Sequence, residues 1–380
     1  MAQRLWYVSL GNLSKPFIAA TIHCREDVRG LRKCGWDATL YTQADGPVSS
    51  PDDVDEVVVC KNRPVIYRIV FEFALVIRLI LARQKPDFVL FRGAGLLLLG
   101  LALWLGGVPF GIELPGPPQC LLNRRDFWRR DYWRSRFLLR RACVIIVLTR
   151  ELAELASEIK APKAIVTVTG VGVNASDYQV AAATGQPLHN GPVLGFLGTI
   201  YLDRGLDLTL DVVAELNKQN VRATLVVVGD GVGRGQAEEK AAALDISQET
   251  VFKGYVPPDD VSEALGECDL IMALYEHSQY LAVGGINPMK VWTSLAIGKP
   301  ILLHNPGKFD AYSGIPGIFS CPPTDPVGVA ELVAELWRSH GRHGLAQAGL
   351  AGRQYITQNV TWLGHAKMID KTISQALQSL

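Results

Sequence analysis

Asn287-Pro288-Met289-Lys290-Val291-Trp292-Thr293-Ser294-Leu295-Ala296-Ile297-Gly298-Lys299-Pro300-Ile301 reads as a helix, a tight turn and the start of a strand. Pro288 suits the first helical position, where its missing N–H is no loss, and Gly298 suits the position just past a helix end. The apolar run Pro300 to His304 then reads as a buried strand. A helix that feeds a strand this directly is the building unit of a parallel sheet. The same segment places Met289 and Lys290 on the first helical turn, after Asn287. There they lie beside backbone N–H groups and the positive end of the helix dipole, which suits phosphate oxygens. A surface lysine on an ordinary helix would leave the same trace.

Outward from this segment the chain keeps alternating. In the first half, strands are predicted at Leu5–Ser9, Asp37–Tyr41, Val57–Cys60, Phe88–Arg92, Val108–Leu114, Ala142–Leu148 and Ile165–Val168. Helices fall between them, at Ala19–Lys33, Pro64–Arg83, Leu96–Leu105 and Arg150–Ile159. Val180 to Pro192 is rich in Ala, Gly and Pro and reads as a linker. A second series follows: strands Val193–Leu197, Thr224–Val228, Val251–Phe252, Leu270–Leu274 and Pro300–His304, separated by helices. Helices near Val327–Trp337, Leu345–Tyr355 and Trp362–Leu377 close the chain. The expected fold is α/β, with two doubly wound Rossmann-like domains facing a central cleft. The expected division is 1–180, a linker 181–192, a second domain 193–358, and a terminal helix 359–380.

The chain has 380 residues, 48% apolar and 20% charged, which is a globular composition long enough for two cores. Its formal charge of +1 hides an asymmetry. Residues 1–180 hold 24 Lys and Arg against 17 Asp and Glu, whereas residues 181–380 hold 14 against 20. Such lopsidedness speaks of partners. Seven scattered cysteines without a CxxC pair argue against a disulfide framework and a structural zinc site, and fit reduced thiols. MAQRLWYVSL carries no long apolar core of a secretory signal.

Gly93 to Ile112 carries no charge and could span a bilayer, but Gly106, Gly107 and Pro109 interrupt it, so a buried helix and strand are expected instead. A basic and aromatic segment, Arg124 to Arg141, holds eight Arg against two Asp, interleaved with Trp128, Trp133 and other rings. Arg124, Arg125, Trp128, Arg129, Arg130 and Trp133 suit an anionic membrane surface, where each basic residue adds roughly 1 kcal/mol. Single-stranded nucleic acid would attract the same mixture, and so would a merely solvated helix. Within Pro64–Arg83, Arg68, Glu72, Arg78 and Arg83 share an arc of about 140°, the rest being mostly apolar. That fits a membrane-facing helix or a core helix with one wet face.

For phosphate recognition, Gly198-Thr199 ends a strand and leads through a loop to Arg204, whose guanidinium fork matches phosphate. Gly229-Asp230-Gly231-Val232-Gly233-Arg234-Gly235 departs from a dinucleotide GxGxxG pattern and reads equally as a turn. Carboxylate and imidazole candidates for acid–base chemistry are Glu113, at a strand end before a Pro-rich turn, and His23, in the first helix. HExxH, GxSxG and Walker A motifs are absent from the sequence.

Taken together, these motifs resemble the GT-B glycosyltransferases of the family 4-like group. The likeness spans nearly the whole chain: the Gly11–Asn12 loop, Gly170 to Val173, Gly198 to Gly205, Gly229 to Gly231, Lys253-Gly254-Tyr255-Val256 and the Pro288–Ile301 segment. It implies that the C-terminal domain binds a nucleotide-sugar, that the N-terminal domain, with Gly11 and Asn12 in a loop, binds the acceptor, and that the last helix crosses back to the N-terminal domain. Retaining members carry two Glu where this chain has Gly285 and Thr293, an Arg where it has Thr199, and a His where it has Pro115. A narrower similarity is to the inverting, membrane-associated glucuronosyltransferases of xanthan assembly. By that similarity Tyr275 and Met289 border the nucleotide and Lys290 touches the diphosphate.

The resemblance implies transfer of a UDP-linked sugar, with glucuronate among the candidates, to a lipid-linked or membrane-proximal saccharide in bacterial surface polysaccharide assembly. The donor set would be Gly198, Thr199, Arg204, Tyr255, Tyr275, Asn287, Met289, Lys290 and Thr293. Arg204 and Lys290 would neutralise the leaving diphosphate. No cofactor and no metal are therefore expected, nor any nucleic acid. Glu113, or His23, would deprotonate the acceptor if the reaction inverts. The expected location is cytoplasmic, peripheral on the inner face of the cell membrane. An oxidoreductase would need the early GxGxxG that the sequence lacks, whereas an inactive GT-B scaffold would also show the four substitutions.

Overall fold

Short Val-, Ile- and Leu-rich runs, apolar on both faces, form strands that can only be buried between helices. The structure, a computed structural model, describes residues 2–12, 19–44, 54–60, 67–116, 130–181, 190–201, 205–275, 288–304, 312–321 and 325–380. Two compact units result. The first joins the chain up to Gly172 with Trp362–Leu380, and the second is built from the described residues between Val173 and Thr361.

In the first unit, strands β1 (Arg4–Asn12), β2 (Asp37–Gln43), β3 (Asp55–Cys60), β4 (Phe88–Arg92), β5 (Phe110–Leu114), β6 (Val144–Val147) and β7 (Ile165–Val168) form a parallel sheet. Their order is β3-β2-β1-β4-β5-β6-β7. The helices are α1 (Ala19–Lys33), α2 (Tyr67–Leu81), α3 (Leu97–Leu105), α4 (Arg130–Leu139) and α5 (Arg150–Ser157). One core packs Phe71, Leu75, Leu99, Leu103, Leu138 and Leu152 of α2 to α5 against Val89, Phe91 and Ile145.

The opposite core joins Cys24, Val28 and Leu31 of α1 to Leu5, Tyr7 and Leu90, together with Ile369, Ile373 and Ala376 of the terminal helix. The expected return of that helix to the first domain is therefore realised. At Gly30 a Cβ would lie 2.4 Å from the Ala366 Cβ, so glycine is what lets these two helices approach.

In the second unit the parallel strands are β8 (Val193–Leu197), β9 (Thr224–Val228), β10 (Thr250–Gly254), β11 (Leu270–Ala273), β12 (Ile301–His304) and β13 (Ile318–Cys321). They run in the order β10-β9-β8-β11-β12-β13. Helices α6 (Leu206–Lys218), α7 (Arg234–Ala243), α8 (Val261–Ala264), α9 (Met289–Ala296) and α10 (Pro326–Asn359) cover this sheet, and α11 (Trp362–Gln378) returns to the first unit. Both sheets reverse winding beside their first strand, at β1/β4 and β8/β11. Ligands of doubly wound sheets bind beyond the strand ends at such switch points.

Two expectations shift, and one is met. The two helices expected at 327–337 and 345–355 are present as the two arms of α10, which breaks at Gly341 with φ 57°. Edge strand β13 was not anticipated, since Ile-Phe-Ser-Cys is short and follows glycine-rich turns. Pro288 caps α9 from outside and does not occupy its first position. The uncharged stretch 93–112 resolves into α3 and β5, and no helix among the described residues is long and apolar enough to cross a membrane.

Candidate functional site

At the β8/β11 switch point, Phe196 of β8 and Tyr275, just past β11, present their rings to Lys290 on the first turn of α9. The Lys290 Nζ lies 4.4 Å from the Phe196 ring centroid and 5.0 Å from that of Tyr275. An ammonium over two ring faces is held by their quadrupoles. Gly198, with φ 134°, turns the chain beside it, so that a Cβ there would meet the Lys290 stem at 3.5 Å. Lys290 is half-buried and Thr199 exposed, as is Tyr255 after β10. Met289 stands half-buried at the helix start. Thr293, one turn further, is engaged by the Tyr178 hydroxyl.

The glycine loop after β9 has a structural reason. Gly229 has φ 135°, its N–H donates to the Gly254 carbonyl at 2.8 Å, and a Cβ would fall 2.0 Å from the Gly198 oxygen. The glycines thus let this loop pack on the Gly198–Ile200 segment. Arg353, which sequence reasoning passed over, donates to the carbonyls of Ala296, Ala175 and Tyr178 and fixes the far end of α9. Arg204 and Asn287 lie outside the described residues.

A polar cluster is buried in the first unit between α1, β1, β4, β5 and α11. Glu113 of β5 is fully buried, ion-paired with Arg92 of β4 and hydrogen-bonded by the Tyr7 hydroxyl. His23 Nε2 lies 2.7 Å from Glu113 Oε1 and 3.3 Å from Asp27 Oδ2. From α11, His365 Nε2 lies 3.0 Å from Asp27 Oδ1. The Tyr7 hydroxyl is also 2.9 Å from Asp27 Oδ2.

Burial raises the pKa of both carboxyls, but neighbouring cations overrule it. Arg92 and His23 hold Glu113 below its ordinary value, and His23 and His365 hold Asp27 well below. For His23, burial lowers the pKa while Asp27 and Glu113 raise it, and the carboxylates prevail over burial and Arg92. The structure thus brings Glu113 and His23 together in a closed network, where neither side chain is more than 2% exposed. Sequence reasoning missed Tyr7, Asp27, Arg92 and His365. Only the His23–Asp27 spacing, four residues on one helix, was a readable signal.

Among the other expected residues, the Gly11 and Asn12 backbones end β1, with Asn12 paired to Gln43. Arg68 donates from Nε to the Gly95 carbonyl at 2.9 Å, and Arg78 is exposed. Trp133 is 48% exposed on α4. Arg130 lies in α4, whereas Arg124, Arg125, Trp128 and Arg129 lie outside the described residues. Glu72 is corrected: it is buried and not on a wet face, and its carboxylate accepts the Leu98 and Leu99 N–H groups at the start of α3.

Comparison with known proteins agrees with this fold. Residues 19–172 match the glycosyl transferase 4-like domain, and residues 191–339 match glycosyl transferases group 1. The chain is built from these two glycosyltransferase domains. The 2-deoxystreptamine glucosyltransferase of Streptomyces kanamyceticus is 30% identical over 195 residues, covering 46% of this chain and 50% of that protein. The match thus spans only half the length of that relative. Among solved structures, sucrose-phosphate synthase from Thermosynechococcus elongatus superposes with a TM-score of 0.77 at 13% identity, over 100% of both chains. HepE of Anabaena in complex with UDP gives 0.73 at 14%, over 98% of this chain and 100% of that one. At these identities the likeness establishes the fold, which is GT-B.

Proposed function

We propose that this glycosyltransferase takes a UDP-linked sugar as donor at the β8/β11 switch point and delivers it to a lipid-linked or membrane-proximal saccharide. Lys290 carries the donor half of this reading. Its ammonium sits at a helix N-terminus beside a glycine turn, where fixed positive charge stabilises a departing diphosphate. The UDP bound to HepE, a relative in fold, is in keeping with it. The missing Glu pair is compatible with glucuronate, because two carboxylates would repel an acidic donor, and equally with a neutral sugar bound differently.

The membrane half rests on α2. Ile69, Val70, Phe73, Ile77, Ile80 and Leu81 are 47–75% exposed. At 100° per residue they share an arc of about 120°. Exposed Trp104 and Leu105 of α3 and Trp133 of α4 extend the apolar surface among the described residues. Arg78, Arg83, Lys85 and Arg140 are exposed on the same unit. Apolar side chains left in water on a unit that also exposes these basic residues suit an anionic bilayer, taken to be the inner face of the cell membrane.

Incubation of the purified chain with a panel of UDP-sugars, UDP-glucuronate included, and membrane lipid extract tests the reading. Labelled lipid product supports it. Neither donor hydrolysis nor transfer with any UDP-sugar would leave an inactive GT-B scaffold as the better description.

A further inference from the structure

We propose that His23, Asp27 and His365 hold a divalent transition-metal ion, zinc by the chemistry of its ligands, which clips the terminal helix onto the first helix. His23 and Asp27 are one turn apart on α1 and point the same way, and His365 meets them from α11. One ligand atom from each residue can be chosen so that all lie within 4.8 Å of one another, and all three side chains are at most 2% exposed. A tetrahedral zinc with bonds of about 2.0–2.2 Å holds its ligand atoms roughly 3.4 Å apart, so the widest pair would close by up to about 1.4 Å. Two imidazoles and a carboxylate are an ordinary zinc set.

The hydrogen-bond accounting points the same way. His23 Nε2, Asp27 Oδ1 and both nitrogens of His365 are buried with no aligned hydrogen-bond partner among the described residues, despite the short His–Asp distances. Tyr7 has one proton to share between Asp27 Oδ2 and Glu113 Oε2, and Arg92 already neutralises Glu113. Asp27 therefore takes its balancing charge either from His23 and His365 as imidazoliums or from a metal ion that the three side chains share. Protonated imidazoles are the rival occupant, since His365 Nε2 lies 3.0 Å from Asp27 and His23 Nε2 2.7 Å from Glu113, and metal binding is what separates the two. Glu113 Oε1, 2.7 Å from His23 Nε2 and ion-paired with Arg92, is the nearest candidate for a fourth ligand atom. The Trp362 ring, 4.9 Å from that of His23 and 5.5 Å from that of His365, packs edge-on against both imidazoles.

The test uses the whole chain without an affinity tag. Metal content is measured after purification. Cobalt(II) is then titrated into chelator-treated protein while its visible absorption is followed, and thermal unfolding is compared with and without zinc. The expected result is binding of about one ion per chain, a tetrahedral cobalt band, and a rise in Tm of several degrees with zinc. His365→Gln and Asp27→Asn should each abolish the band and the shift, whereas the exposed-site control His343→Ala should keep both. Should either cluster variant fail to fold, the wild-type cobalt spectrum still decides. Folded wild-type protein with no cobalt band and a Tm indifferent to zinc and chelator would overturn the proposal and leave protons in the cluster.

Discussion

Glu72 of α2 accepts the backbone N–H of Leu99 at 3.2 Å, and also that of Leu98, so one helix caps the next from the side. The α3 N-cap position is Leu96, which offers no side-chain acceptor, and Glu72 takes over that role. Its carboxylate fixes the rotation of α2, directing Phe71, Leu75 and Leu79 inward and Ile69, Phe73 and Ile77 outward. Glu72→Ala should destabilise the first unit by about 1–3 kcal/mol, because two buried N–H groups lose their acceptor. Glu72→Gln, which keeps one acceptor oxygen, should lose less. Urea unfolding followed by tryptophan fluorescence measures both.

The outward face of α2 makes a contrasting prediction. Phe73→Glu and Ile77→Glu replace side chains that are each 54% exposed, so the Tm should change little. Sedimentation with anionic vesicles should fall at least tenfold, since each change removes buried apolar area and adds repulsion at the lipid surface. Unchanged sedimentation of both variants would detach α2 from the membrane reading.

Gly229→Ala should be severe for a different reason. The new methyl would be 2.0 Å from a backbone oxygen that no rotamer change can move, at a φ of 135° that L residues rarely adopt. A loss of at least about 2 kcal/mol in the second unit is expected. Gly235→Ala, in open space six residues on, should be nearly neutral and so serves as the control.

How much of this could be read from the sequence depended on how local each signal was. The strands Phe88–Arg92, Ile165–Val168, Val193–Leu197 and Thr224–Val228 were legible to the residue, because an apolar run between turn signals needs no distant information. Tyr275 and Lys290 came through the resemblance, as residues at the nucleotide and the diphosphate, whereas their contact with each other and with Phe196 did not. The buried cluster escaped because Tyr7, Arg92 and His365 are unremarkable in their own segments, and only sheet order and the returning helix bring them together. Glu72 misled for a related reason. A carboxylate at helical spacing from three arginines looks solvated until the neighbouring helix end that it caps is known.

His304, at the end of β12, should give the second unit an acid-sensitive stability. Its side chain is 2% exposed, with Nδ1 3.4 Å from the Tyr275 carbonyl, and burial lowers its pKa below the ordinary 6.5 despite that contact. Below pH 6.5 the unfolded imidazole takes a proton that the folded one refuses until the pH falls further. Stability is thus unaffected at neutral pH and is lost as the pH falls from 6.5 toward the folded-state value, by at most about 1.4 kcal/mol per pH unit. Comparing urea unfolding at pH 7.5 and 5.5, His304→Gln should lose less stability than wild type. An identical loss in both would remove His304 from the explanation.

The proposed donor site stands on Lys290. Its ammonium is fixed by the Phe196 and Tyr275 rings before any ligand arrives, so little side-chain entropy is lost when a diphosphate binds. Removing a charge-assisted contact of this kind costs about 1.5–3 kcal/mol, or roughly 10- to 150-fold in affinity. Lys290→Ala should therefore weaken UDP binding by that factor in calorimetry while leaving uridine binding nearly unchanged, since uridine lacks the charge that lysine meets. Lys290→Arg should recover only part of the loss, because a planar guanidinium does not fit the slot that a compact ammonium fills between the two rings. Equal weakening of UDP and uridine by Lys290→Ala would mean that the lysine shapes the site instead of meeting the diphosphate.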